Sequence, residues 1–174
     1  MMRLSIRVLA LLLLPAAAGA QIAPDSPLVQ ALRVGRATAP LPPSQQAERV
    51  ARHIRAASGS RGDITVEFVR VARFVAQPAC GRVGYGLYQK SSNTFWGQFG
   101  GQVNICEDGT PPQRACKGTP GLVAADASCP DGTAPVDTAE VKAAIAHALA
   151  SGGLTAEQFR ARYQARRTTN ESGH

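Results

Sequence analysis

Residues 80–106, CGRVGYGLYQKSSNTFWGQFGGQVNIC, alternate apolar with polar or bare positions on both sides of Ser91-Ser92-Asn93. That pattern predicts a β-hairpin. A turn centred near Ser92 and Asn93 sets Val83 opposite Val103, Tyr85 opposite Gly101 and Leu87 opposite Phe99. The same register sets Cys80 opposite Cys106, and a directly opposed cross-strand pair brings its Cβ atoms within the ~4.5 Å that a disulfide spans. The chain holds four cysteines, at 80, 106, 116 and 129. They admit three connectivities. The hairpin register selects Cys80–Cys106 and leaves Cys116–Cys129. Closing those loops is worth roughly 3.6 and 3 kcal/mol in the chain-entropy picture.

The odd positions of the hairpin, Val83, Tyr85, Leu87, Phe95, Phe99, Val103 and Ile105, form an apolar face that a helix can cover. The even positions, among them Arg82, Gly84, Gly86, Gln98, Gln102 and Asn104, are polar or bare. Tyr88 and Trp96 fall on this even face beside Gln98. An aromatic pair among amides suits a sugar or a protein partner, unless the loop 107–136 folds over it.

Upstream, Ile64 to Val75 is a β-branched run whose apolar phase changes, which predicts one strand with a bulge near Phe68–Val69. Ser44 to Ser58 is an amphipathic helix capped by Ser44, with Ala47, Val50, Ala51, Ile54 and Ala57 on one stripe. Arg49, Arg52, His53 and Arg55 lie outside that stripe, either as an anion-binding row or as an ordinary solvated face. Residues 21–43 read as a flexible Pro-rich segment with a short helix begun by Ser26 and Pro27 and a stiff stretch at Ala39-Pro40-Leu41-Pro42-Pro43. The expected fold is therefore α+β: helix 44–58 on a three-stranded antiparallel sheet over 64–106. A helix followed by antiparallel strands resembles the cystatin-like arrangement in element order. The Gln-x-Val-x-Gly inhibitory loop of that family is absent here, Gln102-Val103-Asn104 not matching it, so the resemblance implies a shape and no protease inhibition.

Downstream, residues 107–136 form a long loop rich in Pro, Gly and Thr, stapled by the second cysteine pair, which completes a disulfide-bonded domain over 44–136. Asp137 or Thr138 caps a helix over Ala139–Ala150, Gly152-Gly153 stops it, and Thr155-Ala156-Glu157-Gln158 is a capping box for a second helix to about Arg167. The stretch ALASGGLTAEQFRARYQARR resembles the short C-terminal module at the ends of many bacterial proteins, which implies a helical hairpin over 137–167 and carries no chemistry. Residues 168–174 are expected to be a disordered tail.

The first twenty residues, MMRLSIRVLALLLLPAAAGA, have a basic start, an apolar run from Val8 to Leu14 and an A-x-A end. These are the marks of a signal peptide cut before Gln21, and the run falls short of the ~20 apolar residues of a membrane span. The chain is expected in the periplasm or outside the cell, where cysteines pair. Net charge is +7 over 174 residues and falls to +5 with the leader's Arg3 and Arg7 removed. The basic residues are scattered rather than blocked and interleaved with aromatics, so nucleic acid is not expected as a partner. No C-x2-C or H-x3-H spacing supports a metal, and no nucleophile-elbow, phosphate-loop or haem motif supports catalysis or a cofactor. The expected function is a non-catalytic exported module binding a protein or an envelope glycan through Tyr88, Trp96 and Gln98, with Arg49, Arg52 and Arg55 attracting it. An inhibitor or immunity protein of an envelope-acting enzyme is one alternative. A small glycan hydrolase using Glu67 and Asp63 is the other.

Overall fold

The computed structural model describes residues 22–151 and Glu157. The elements run α1 (Pro27–Val34), β1 (Arg36–Pro40), α2 (Gln45–Ser58), β2 (Ile64–Arg73), β3 (Cys80–Gln89), β4 (Thr94–Cys106), the two-residue strands β5 (Arg114–Ala115) and β6 (Leu122–Val123), and α3 (Ala139–Ala150). The fold is α+β, with β1-β2-β3-β4 in one antiparallel sheet. The signal peptide expected at 1–20, the second C-terminal helix (Glu157, itself helical, apart) and the tail 168–174 lie outside the described residues.

Three expectations outside the hairpin need correction. The sheet has four strands, because Arg36–Pro40 pairs with β2 from Arg36↔Val69 to Pro40↔Thr65. Proline donates nothing to a ladder, so Pro40 is tolerated only because β1 lies at the sheet edge. The cystatin-like order of one helix and three strands gives way accordingly, since α1 and β1 come first. Residues 22–43 are held rather than loose. The Ser26 side chain accepts from the Val29 N–H, and Gly35, at φ 100°, closes α1 with its N–H on the Ala31 carbonyl. Arg70 Nη1 then donates to the carbonyls of Leu32 at 2.7 Å and Arg33 at 3.0 Å, groups that a helix end leaves without partners. Finally, the irregularity in β2 falls between Arg70 and Ala72, not at Phe68–Val69. Ile64, Val66 and Phe68 face the helices while Val69 packs with Phe95 on the reverse face, so both faces of β2 are apolar and the phase change needs no bulge there.

Both disulfides form with the expected pairing, Cys80–Cys106 and Cys116–Cys129. Val83↔Val103 and Tyr85↔Gly101 also pair as expected, but Leu87 faces Trp96, not Phe99. Between these last two pairs β3 advances two residues while β4 advances five. The surplus of three is odd, so it exchanges the faces of every β4 residue on the turn side. Gly100 permits the crossing: a Cβ there would overlap the carbonyl oxygen of Tyr85 and crowd the Cα of Gly86. Gly100→Ala is therefore expected to lower stability by about 2–3 kcal/mol, as overpacking against rigid backbone does, read as a drop in the urea midpoint at unchanged slope.

The helix-bearing face of the sheet is shared. α1 covers its disulfide end, where Val29, Ala31, Leu32, Val83 and Ile105 form one core cluster. α2, capped by Ser44 as expected, covers the turn end with Ala51 and Ile54 on Ile64 and Leu87. On the reverse face α3 packs Val141 against Phe74 and the Cys80–Cys106 bridge.

Candidate functional site

The division of labour between α1 and α2 leaves a gap. α1 has eight residues and α2 fourteen, which at ~1.5 Å per residue makes them about 12 and 21 Å long. They are joined through β1 and the strap Leu41-Pro42-Pro43, whose prolines stiffen it against bringing α2 down onto α1. The result is a groove of about 800 Å³ floored by Val66, Phe68, Tyr85, Leu87, Phe99 and Val103. Leu28 of α1 walls one side; Leu41, Ala47 and Val50 wall the other. The rings of Phe68 and Tyr85 lie 6.1 Å apart and tilted by 36°. His53 of α2 meets the edge of Phe99 at 5.7 Å.

Few polar groups line it, so it can recognise apolar side chains and little else. Among the described residues the Tyr85 hydroxyl has no hydrogen-bond partner, leaving one polar handle on the floor. Arg49, Arg52 and Arg55 are exposed on the outer side of α2 and make no ion pair among the described residues. Arg52 and Arg55 join Arg61 around a cleft of about 640 Å³. A second cleft of about 610 Å³ runs under Pro40–Pro43 and includes Glu48 and Asp63.

The residues expected to form a contact patch do not come together. Trp96 faces the helices and packs with Ala51, Ile54, Ile64 and Leu87, its Nε1 buried without a partner among the described residues. Tyr88 is on the reverse face with Val69 and Phe95, its hydroxyl donating to Asn93 Oδ1 at 2.9 Å. Gln98 is exposed in the irregular part of β4. The face assignment fails at the odd surplus of residues in β4, which carries Trp96 inward and Phe95 outward.

Glu67 and Asp63 are likewise apart. Asp63 is exposed and borders the cleft beside α2, whereas Glu67 is 4% exposed and accepts from Thr38 Oγ1 at 2.7 Å and Thr65 Oγ1 at 2.8 Å. A glycosidase needs its two carboxyl groups flanking one bond in a cleft, and this arrangement does not supply that. No free cysteine exists among the described residues, and no His, Cys, Asp and Glu cluster there could hold a metal. No described helix is long and apolar enough to cross a membrane.

The groove residues that the sequence did not single out, Leu28, Leu41 and Phe68, belong to segments read as a short helix, a stiff linker and a generic strand. Only a tertiary arrangement of two short helices turns them into one surface. No protein-family model, no curated protein and no solved structure matches this chain.

Proposed function

We propose that the protein is an exported, non-catalytic binding module whose groove between α1 and α2 takes an apolar segment of a protein partner. The observation that carries this is the apolar floor of Val66, Phe68, Tyr85, Phe99 and Val103, left uncovered between two helices held apart. Leaving such side chains wet forgoes ~25 cal/mol for each Å² of apolar surface, and a groove of this form matches the way amphipathic segments are captured. Two disulfides fit an exported protein. A glycan partner loses its support, because Trp96, the ring best suited to stack on a sugar, is packed under α2. The arginines of α2, without an ion pair among the described residues, favour acidic residues flanking the bound segment and speed its arrival.

Selection of displayed random peptides on the purified chain tests this. Binders are expected to converge on two or more large apolar anchors with Asp or Glu beside them. Phe99→Lys is expected to weaken those binders at least tenfold, equivalent to about 1.4 kcal/mol. Convergence on neutral, anchor-free peptides, or binding indifferent to Phe99→Lys, would refute the groove as the site.

A further inference from the structure

The reverse face of the sheet carries a buried arginine beside a cavity. Arg82 of β3 stands opposite Asn104 of β4 and is only 7% exposed. Its Nε donates to Gln102 Oε1 and its Nη1 to Asn104 Oδ1, both at 2.7 Å. Both partners are neutral. Among the described residues no carboxylate pairs with Arg82, and its Nη2 has no hydrogen-bond partner. A buried cation without a counter-charge is costly, and burial pushes the guanidinium below its ordinary value. A cavity of about 350 Å³ opens beside it, walled by Pro111, Pro112, Val141 and Ile145. Arg114 and Asp137 also border this cavity, and their 2.9 Å ion pair commits the acid to Arg114.

A guanidinium can only donate, so it fixes both carboxamides with their oxygens toward Arg82 and their NH₂ groups turned away. Among the described residues, that leaves Nη2, the second Nη1 hydrogen and those two NH₂ groups as donors without partners, against only the second lone pairs of two oxygens already engaged by Arg82. We propose that Arg82, Gln102 and Asn104 form a carboxylate-binding site that takes a ligand with one carboxylate and a short apolar tail. A carboxylate can take one oxygen to Nη2 and the other to the remaining Nη1 hydrogen, the planar match that a guanidinium offers an anion with two oxygens. The Pro and aliphatic walls suit the tail, and Asp137 at the border disfavours a dianion such as phosphate. Two sources share this chemistry: a free short-chain acid and the C-terminus of a peptide.

The test is a ¹H–¹⁵N NMR titration of the purified chain that follows the Arg82 Nε–H. The probes are N-acetyl-L-alanine, its primary amide, a tripeptide ending in free alanine, and the amidated tripeptide. The acids are expected to shift the resonance saturably with Kd at or below about 1 mM, and the amides to bind at least tenfold more weakly. A tripeptide at least tenfold tighter than N-acetyl-L-alanine supports a chain terminus as the ligand; equal affinities support a free acid. Acid and amide acting alike, or no saturable shift up to about 10 mM, ten times that constant, would overturn the proposal and leave Arg82 as a brace between strands. The comparison is made within the native chain, so it does not depend on an Arg82 variant folding. As a check on the site, Arg82→Gln that folds is expected to lose acid binding; retained binding also overturns the assignment.

Discussion

Trp96→Ala is expected to lower the stability of the fold by about 3 kcal/mol, whereas Trp96→Phe costs less than about 1 kcal/mol. The contrast follows from where the ring sits. Trp96 packs in the cluster of Ala51, Ile54, Ile64 and Leu87, so truncation opens a cavity under α2. Its Nε1 is buried with no acceptor among the described residues, so an indole spends desolvation there and recovers no hydrogen bond from them. Phenylalanine keeps much of the packing and removes the orphaned donor. Chemical denaturation of the two variants reads both numbers. If Trp96→Ala leaves stability unchanged, the ring is at the surface and the inverted faces of β4 are wrong.

The second large effect is loss of the hairpin staple. The double replacement Cys80→Ala with Cys106→Ala is expected to cost roughly 3.6 kcal/mol from loop entropy alone. The bridge spans 26 residues and packs beneath Phe74 and Val141, so its removal also loosens the seat of α3. Removing Cys116–Cys129, which spans 13 residues, is expected to cost roughly 3 kcal/mol, and it lies outside the helix-bearing face. The first loss is thus expected to broaden the amide spectrum of α3 and the second to leave Leu87 and Val66 unchanged. A cost below about 1 kcal/mol for the first pair would mean that the reduced chain already holds the hairpin closed.

How far the fold was legible follows from where side-chain alternation speaks. From Cys80 and Cys106 to Tyr85 and Gly101 the pairing obeys one parity, and cysteine spacing repeats the same message. Ser26, Ser44 and Thr138 announce three helices, because a hydroxyl before an apolar stripe has a definite task on the first turn. The reading breaks at Gly97, Gly100 and Gly101. Glycine carries no side chain to declare a face, so an insertion among glycines leaves no trace in the pattern, and every residue beyond it is assigned to the wrong side. The edge strand Arg36-Ala-Thr-Ala-Pro40 was hidden for a different reason. It has no β-branched residue except Thr38 and ends in proline, so its conformation comes from pairing with β2, not from its own preference. The groove was invisible because it exists only once α1 and α2 have divided the sheet between them. Arg82, which a reader of the sequence would place in water on the polar face, is buried by the loop and helix that return from far along the chain.

The proposed function turns on which face of the sheet meets the partner. The direct measurement is methyl-detected NMR of the purified chain titrated with a peptide recovered by the selection. Binding in the groove predicts shifts at the methyls of Leu28, Leu41, Val66, Leu87 and Val103, which line it, with Val69 on the reverse face unmoved. Shifts centred on Val69, with the groove methyls silent, would place the partner on the reverse face and rule out the groove as the site.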